Sequence, residues 1–155
     1  MEQKIKKIIM LLEEKKLIFE RYEALTDKLS ETSDTDATQD YITKRAELAN
    51  KIDALDNVIK KLLEEASGEE GMRVLEQSYP REALPEGLRQ VYDSNLSIME
   101  VVRRIRLKNS DITAGYERDR AEAMEKIKAA SNMPKVNRYL NNLSTREDTN
   151  NFGSV

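Results

Sequence analysis

Residues 41–66 read YITKRAELANKIDALDNVIKKLLEEA. Tyr41, Arg45, Leu48, Ile52, Leu55, Ile59, Leu62 and Ala66 recur there in steps of four, three, four, three. That spacing keeps one narrow stripe on one side of an α-helix and is the signature of a coiled-coil seam. Gly68 offers a C-terminal cap just past it, and Gly71 marks a second break. The spacing therefore predicts a helix over about 39–67. A long helix with so narrow an apolar stripe gains its stability by zipping against others of the same kind.

The flanks supply those others. Toward the N-terminus, Ile8, Leu11, Ile18, Tyr22, Leu25 and Leu29 follow a seam that Lys15 interrupts, and Ile5, Leu12 and Phe19 widen it by one position. This predicts a helix over about 2–29, roughly 40 Å long at 1.5 Å per residue. Ser30–Asp40 is rich in Ser, Thr and Asp, which favour turns and N-caps, and Asp36–Gln39 is a candidate cap for the next helix. A short polar connection between two long helices makes them antiparallel neighbours.

Between residues 71 and 85, Met72, Val74, Leu75, Tyr79 and Leu84 are apolar, but Pro80 and Pro85 stop any long helix. A connection of this length is expected to carry structure, here a short helical turn folded back over the hairpin. A third helix is predicted over about 86–131, opened by Pro85 and closed by Pro134. Its seam is Leu88, Val91, Asn95, Ile98, Val102, Ile105, Asn109, Ile112 and Tyr116, extended by Ala123, Ile127 and Ala130. Its length is on the order of 65 Å, and Gly115 is a weak point within it, costing about 1 kcal/mol against Ala. Val136, Tyr139, Leu140 and Leu143 form one more short amphipathic piece. The predicted fold class is all-α: an elongated antiparallel three-helix coiled-coil bundle with a long third helix. Residues 1–143 read as a single helical domain, and 144–155 as a polar tail expected to be disordered.

Composition agrees with seams rather than a deep core. Charged residues make up 35% of the chain, apolar residues 39% and aromatics 5%, and a seam needs only about two apolar positions in seven. The net charge of −3 comes from well-mixed signs, whereas a nucleic-acid binder carries a basic stripe. The runs Lys4, Lys6, Lys7 and Arg103, Arg104, Arg106 are read as solvated helix faces. With no cysteine there is no disulfide framework and no thiol nucleophile. With no histidine, the usual acid–base residue and the Glu-x-x-His di-metal pattern are both missing. The five glycines are scattered and make no phosphate loop. These features predict a protein that is not an enzyme and uses no cofactor or metal. The apolar run Ile8–Leu12, followed by Glu13 and Glu14, is too short for a signal segment or a membrane span. The expectation is a soluble, cytoplasmic protein without membrane insertion.

Function is suggested by a mismatch of lengths. Two helices of about 40 Å do not cover one of about 65 Å, so Ile112, Tyr116, Ala123, Ile127 and Ala130 need another cover. The candidates are the 72–84 segment, a second copy of the chain or a client helix; otherwise the residues are gap-filling core. An uncovered apolar stripe is by default a binding surface. Met99, Met124 and Met133 lie on or near this helix, and flexible thioethers suit surfaces that repack around a partner. Asn95 and Asn109 fall on the seam two heptads apart. Such residues either fix register or lie at a wet edge; the wet edge is preferred for Asn95.

Two family resemblances can be read from the motifs. Leu48–Asp56, running on to Leu62-Leu63-Glu64-Glu65-Ala66, is similar to the first helix of the all-helical chorismate mutases. That family has arginines where this chain has Ala49 and Ala66, so a dianionic substrate would lack its charge partners and the enzyme reading is not adopted.

The second resemblance covers about residues 1–130. Leu11-Leu12-Glu13-Glu14-Lys15-Lys16 with Leu25 and Leu29, Arg45-Ala-Glu47-Leu48 into Ile52-Asp53-Ala-Leu55-Asp56, and Ile105-Arg-Leu-Lys-Asn109-Ser-Asp-Ile112 together resemble the FlgN-type flagellar export chaperones. The resemblance implies a small cytoplasmic chaperone without nucleotide use. Such proteins bind the C-terminal helical segments of flagellar hook-associated proteins, prevent premature assembly and deliver them to the export gate. On this resemblance the client-binding residues are Asn109, Ile112, Tyr116, Ala123, Met124 and Ile127, and the export-gate contact is Tyr139 and Leu140. The alternative is a structural coiled-coil protein, a spacer or tether that associates with itself as a homodimer or higher oligomer.

Overall fold

The computed structural model describes residues 2–76 and 79–130. They form helix α1 (Glu2–Glu31), helix α2 (Thr35–Arg73), a 3₁₀ turn (Arg81–Ala83) and helix α3 (Glu86–Ala130), with no strand among the described residues. The all-α class and the long third helix expected from the sequence are therefore observed. The chain divides into two compact units, Met1–Ile112 and Thr113–Val155.

Within Met1–Ile112 the chain runs up, down and up. Lys4 pairs with Glu65 and Lys15 with Asp56, so α1 and α2 are antiparallel. Lys15, the residue that breaks the α1 seam, is thus partly buried with its charge matched. Glu23 meets Arg104 and Asp27 meets Lys108, while a Cβ added at Gly87 would lie 3.1 Å from the Ile5 methyl. Hence α1 and α3 run in the same direction, and the unit is an antiparallel three-helix bundle.

The first turn is tighter than the sequence suggests. Instead of a polar connection over Ser30–Asp40, α1 continues to Glu31 and α2 begins at Thr35. Asp34, rather than a residue within Asp36–Gln39, is the N-cap: its carboxylate accepts from the Asp36 N–H at 3.2 Å. The Asp34 carbonyl accepts from the Thr38 hydroxyl at 2.8 Å. One well-placed Asp satisfies an otherwise free N–H of the first turn, so the polar residues after it enter the helix.

Gly68 breaks α2 where expected, at φ 57° and ψ −131°, a conformation open to glycine and costly for other residues. The chain then folds back. Gly71 is buried, and a Cβ there would fall on the Leu63 carbonyl. Val74 and Leu84 enter the core, so the connection does cover the hairpin. It is tied to the start of α3: Arg81 donates twice to the Asp93 carboxylate, at 2.9 and 3.0 Å, and Arg89 donates to the carbonyls of Leu84 and Glu82.

The core cluster joins Ile8 and Leu12 of α1, Ile59 and Leu63 of α2, Val74 and Leu84 of the connection, and Leu88, Val91, Tyr92 and Ile98 of α3. In α2 the strict heptad names Leu62, but Leu63 is the fully buried residue and Leu62 is half-buried. The same shift favours Leu12 over Leu11 and brings Tyr92 and Val101 of α3 inside. A helix touching two neighbours presents a wider apolar face than one zipped to a single partner.

Candidate functional site

The described part of the second unit is Thr113–Ala130, the last turns of α3. Every residue from Tyr116 to Ala130 is exposed. Tyr116 is 54% exposed, Met124 39% and Ile127 37%. Tyr116, Ala123 and Ile127 are separated by seven and four residues, which places them on one helical face, with Met124 at its flank. Glu117, Arg118, Asp119, Arg120, Glu122, Glu125, Lys126 and Lys128 surround this face with balanced charge. The arrangement offers apolar contact and no marked electrostatic preference for a partner.

The six residues assigned to client binding do not share one environment. Tyr116, Ala123, Met124 and Ile127 form the exposed face, whereas Asn109 and Ile112 are half-buried in Met1–Ile112. The Asn109 amide oxygen accepts from the Arg45 guanidinium at 3.1 Å. The same guanidinium donates to the Tyr22 hydroxyl at 2.7 Å and lies 4.5 Å from that ring's centre. One polar layer thus joins all three helices. Tyr22, Arg45 and Asn109 each stand on a predicted seam, but their pairing depends on inter-helix register, which sequence spacing does not contain. Tyr139 and Leu140, with Met133, Val136, Leu143 and the 144–155 tail, lie outside the described residues.

Asn95 is not at a wet edge. It is buried and borders a cleft of about 180 Å³ with Leu12, Lys15, Asp56, Leu75 and Met99. In the basic runs read as solvated faces, Lys4, Lys6, Lys7, Arg103 and Arg106 are exposed and Arg104 is half-buried; Lys4 pairs with Glu65, Arg103 with Glu100 and Arg104 with Glu23.

Glu23 is a carboxylate shared by two cations of α3. It accepts two bonds from Arg104, at 2.9 and 3.1 Å, and lies 3.3 Å from the Lys108 ammonium, which also holds Asp27 at 2.8 Å. The Arg104 bonds, helped by Lys108 and opposed by burial, hold its carboxyl below the ordinary glutamate range. A lowered carboxylate contributes stability above its unfolded-state value, and that contribution is lost as pH falls through the folded-state value. Stability is therefore expected to decline as pH drops below about 4.5, the ordinary value. Glu23→Gln should decline less steeply over that range in urea titrations at stepped pH. Equal slopes would show that Glu23 has no part in the acid response.

Other exposed apolar residues, Met10, Leu17, Ile42, Val58, Leu96 and Leu107, are spread over the three helices of the first unit among charged residues. Isolated exposed apolar side chains are ordinary on a protein surface. Among the described residues no acidic, histidine or cysteine group is arranged to hold a metal ion, and no helix is long and apolar enough to cross a membrane.

The first unit belongs to the class of antiparallel three-helix bundles, and an exposed apolar face is found on the last turns of α3. Comparison with family models, with curated proteins and with solved structures gives no match.

Proposed function

We propose that this protein is an export chaperone that binds another chain by docking an amphipathic helix against Tyr116, Ala123, Met124 and Ile127. The observation that carries the reading is the exposure of these side chains at helical spacing on an otherwise charged segment. A client helix with apolar residues at i, i+3, i+4 and i+7 has the complementary stripe. The proposed client is the C-terminal helical segment of a flagellar hook-associated protein, on the strength of the FlgN-type motifs in α1, α2 and α3. In this reading Tyr139 and Leu140 meet the export gate. Few apolar side chains are involved, and ordering the client costs part of the gain, so the complex is releasable without nucleotide.

Thermal unfolding with peptides tests this. Peptides spanning the C-terminal helices of hook-associated proteins should raise the unfolding midpoint in a saturable manner, as any ligand selective for the native state must. The same peptides with serine at their apolar positions should not. No shift with any such peptide would end the proposal. A tight self-dimer in sedimentation that hides Tyr116 and Ile127 would favour the spacer reading in its place.

A further inference from the structure

The bundle of Met1–Ile112 is held differently at its two ends. At one end, Ile8, Leu12, Ile59, Leu63, Leu88 and Val91 make a continuous apolar core, closed by Val74 and Leu84. The Arg81–Asp93 and Arg89 contacts fasten that closure to α3. At the other end, Leu29 and Ile105 are buried but do not belong to this core. Thr26 is fully buried there, yet its hydroxyl donates to the Tyr22 carbonyl of its own helix and ties nothing across the bundle. Among the described residues, α3 is tied to the hairpin at this end by Arg45 to Asn109, Arg104 to Glu23, and Lys108 to Glu23 and Asp27. The Arg104 and Lys108 side chains are 41% and 38% exposed while Glu23 is 13% exposed, so water and salt screen these pairs in part.

We infer that this unit opens from its polar end: residues Arg103–Ile112 of α3 separate from Tyr22–Glu31 and Thr35–Leu48 while the apolar end, with Val102 packed against its core, stays closed. Local opening follows the segment with the least buried apolar contact. Exposed ion pairs occur at both ends, Lys4–Glu65 and Arg81–Asp93 among them, but only at the apolar end do they lie over a continuous buried core. A polar layer such as Tyr22–Arg45–Asn109 suits the role. It specifies how α3 re-seats, at some cost in stability compared with apolar side chains in the same places. Opening exposes Leu29 and Ile105, which are buried in the closed form, and uncovers more of the half-buried Ile112. The inference rests on Met1–Ile112 alone and does not depend on the chaperone reading.

Hydrogen exchange of the full chain, followed by mass spectrometry at low salt and in about 1 M sodium chloride, tests it. Screening at that salt reaches to about 3 Å, short enough to weaken exposed pairs while sparing apolar burial. Amides of Arg103–Ile112 should exchange about tenfold or more faster than those of Leu88–Ile98, and the gap should widen at high salt. Equal protection of the two segments would show that the unit opens only as a whole. A gap that salt does not widen would show that the charged ties do not hold this end. Either result overturns the inference.

Discussion

Leu63→Ala is expected to destabilise the protein by about 3 kcal/mol, and Leu62→Ala by about 1 kcal/mol. The two residues are adjacent, chemically identical and on the same helix, so propensity and chain entropy cancel in the comparison. What differs is their surroundings. Leu63 is fully buried in the cluster with Ile8, Leu12, Ile59 and Leu88, whereas Leu62 is half-buried. Truncating a buried leucine removes its transfer energy and leaves a cavity whose cost depends on how far the walls relax. Here relaxation is limited on one side, because Gly71 packs directly against the Leu63 carbonyl and brings the connection down on this turn. Urea unfolding followed by far-ultraviolet circular dichroism measures both losses. Equal losses would mean that α2 faces its neighbours along the strict heptad through Leu62, contrary to the observed burial.

The second large effect is on binding. Tyr116→Ala combined with Ile127→Ala should weaken client-peptide affinity about 100-fold, equivalent to about 2.8 kcal/mol. Full burial of such a side chain is worth about 1.5–3 kcal/mol, and a docked helix covers each of these two in part. The unfolding free energy should stay within about 0.5 kcal/mol of the parent, because exposed positions contribute little to folding. Titration calorimetry gives the first quantity and denaturant unfolding the second. The combination is diagnostic. Lost affinity with retained stability marks a docking face, lost stability marks core, and no change in either removes these residues from the proposed site.

The stripe illustrates what is readable in advance. Tyr116, Ala123 and Ile127 share a helical face by spacing alone, and Met124 stands beside them. Whether that face is covered is a property of everything around it, and the exposure from Tyr116 to Ala130 is set by the tertiary structure. Asn109 shows the opposite case: it stands on the same seam in sequence, yet it is held by Arg45, 64 residues earlier.

Helix identity, the break at Gly68, the return of the 74–84 connection and the three-helix class were all legible from local signals. Apolar periodicity, capping residues and the placement of Gly and Pro act over a few residues, so the sequence carries them directly. The start of α2 at Thr35 was legible in kind but not in place, since several polar residues nearby were able to cap. Tertiary structure alone decided that Leu63 and Leu12, rather than Leu62 and Leu11, lie deepest. It alone paired Glu23 with Arg104 and brought Tyr22, Arg45 and Asn109 into one layer. Each of these outcomes depends on how many helices surround a residue and in what register they pack, and those quantities arise only when distant parts of the chain meet.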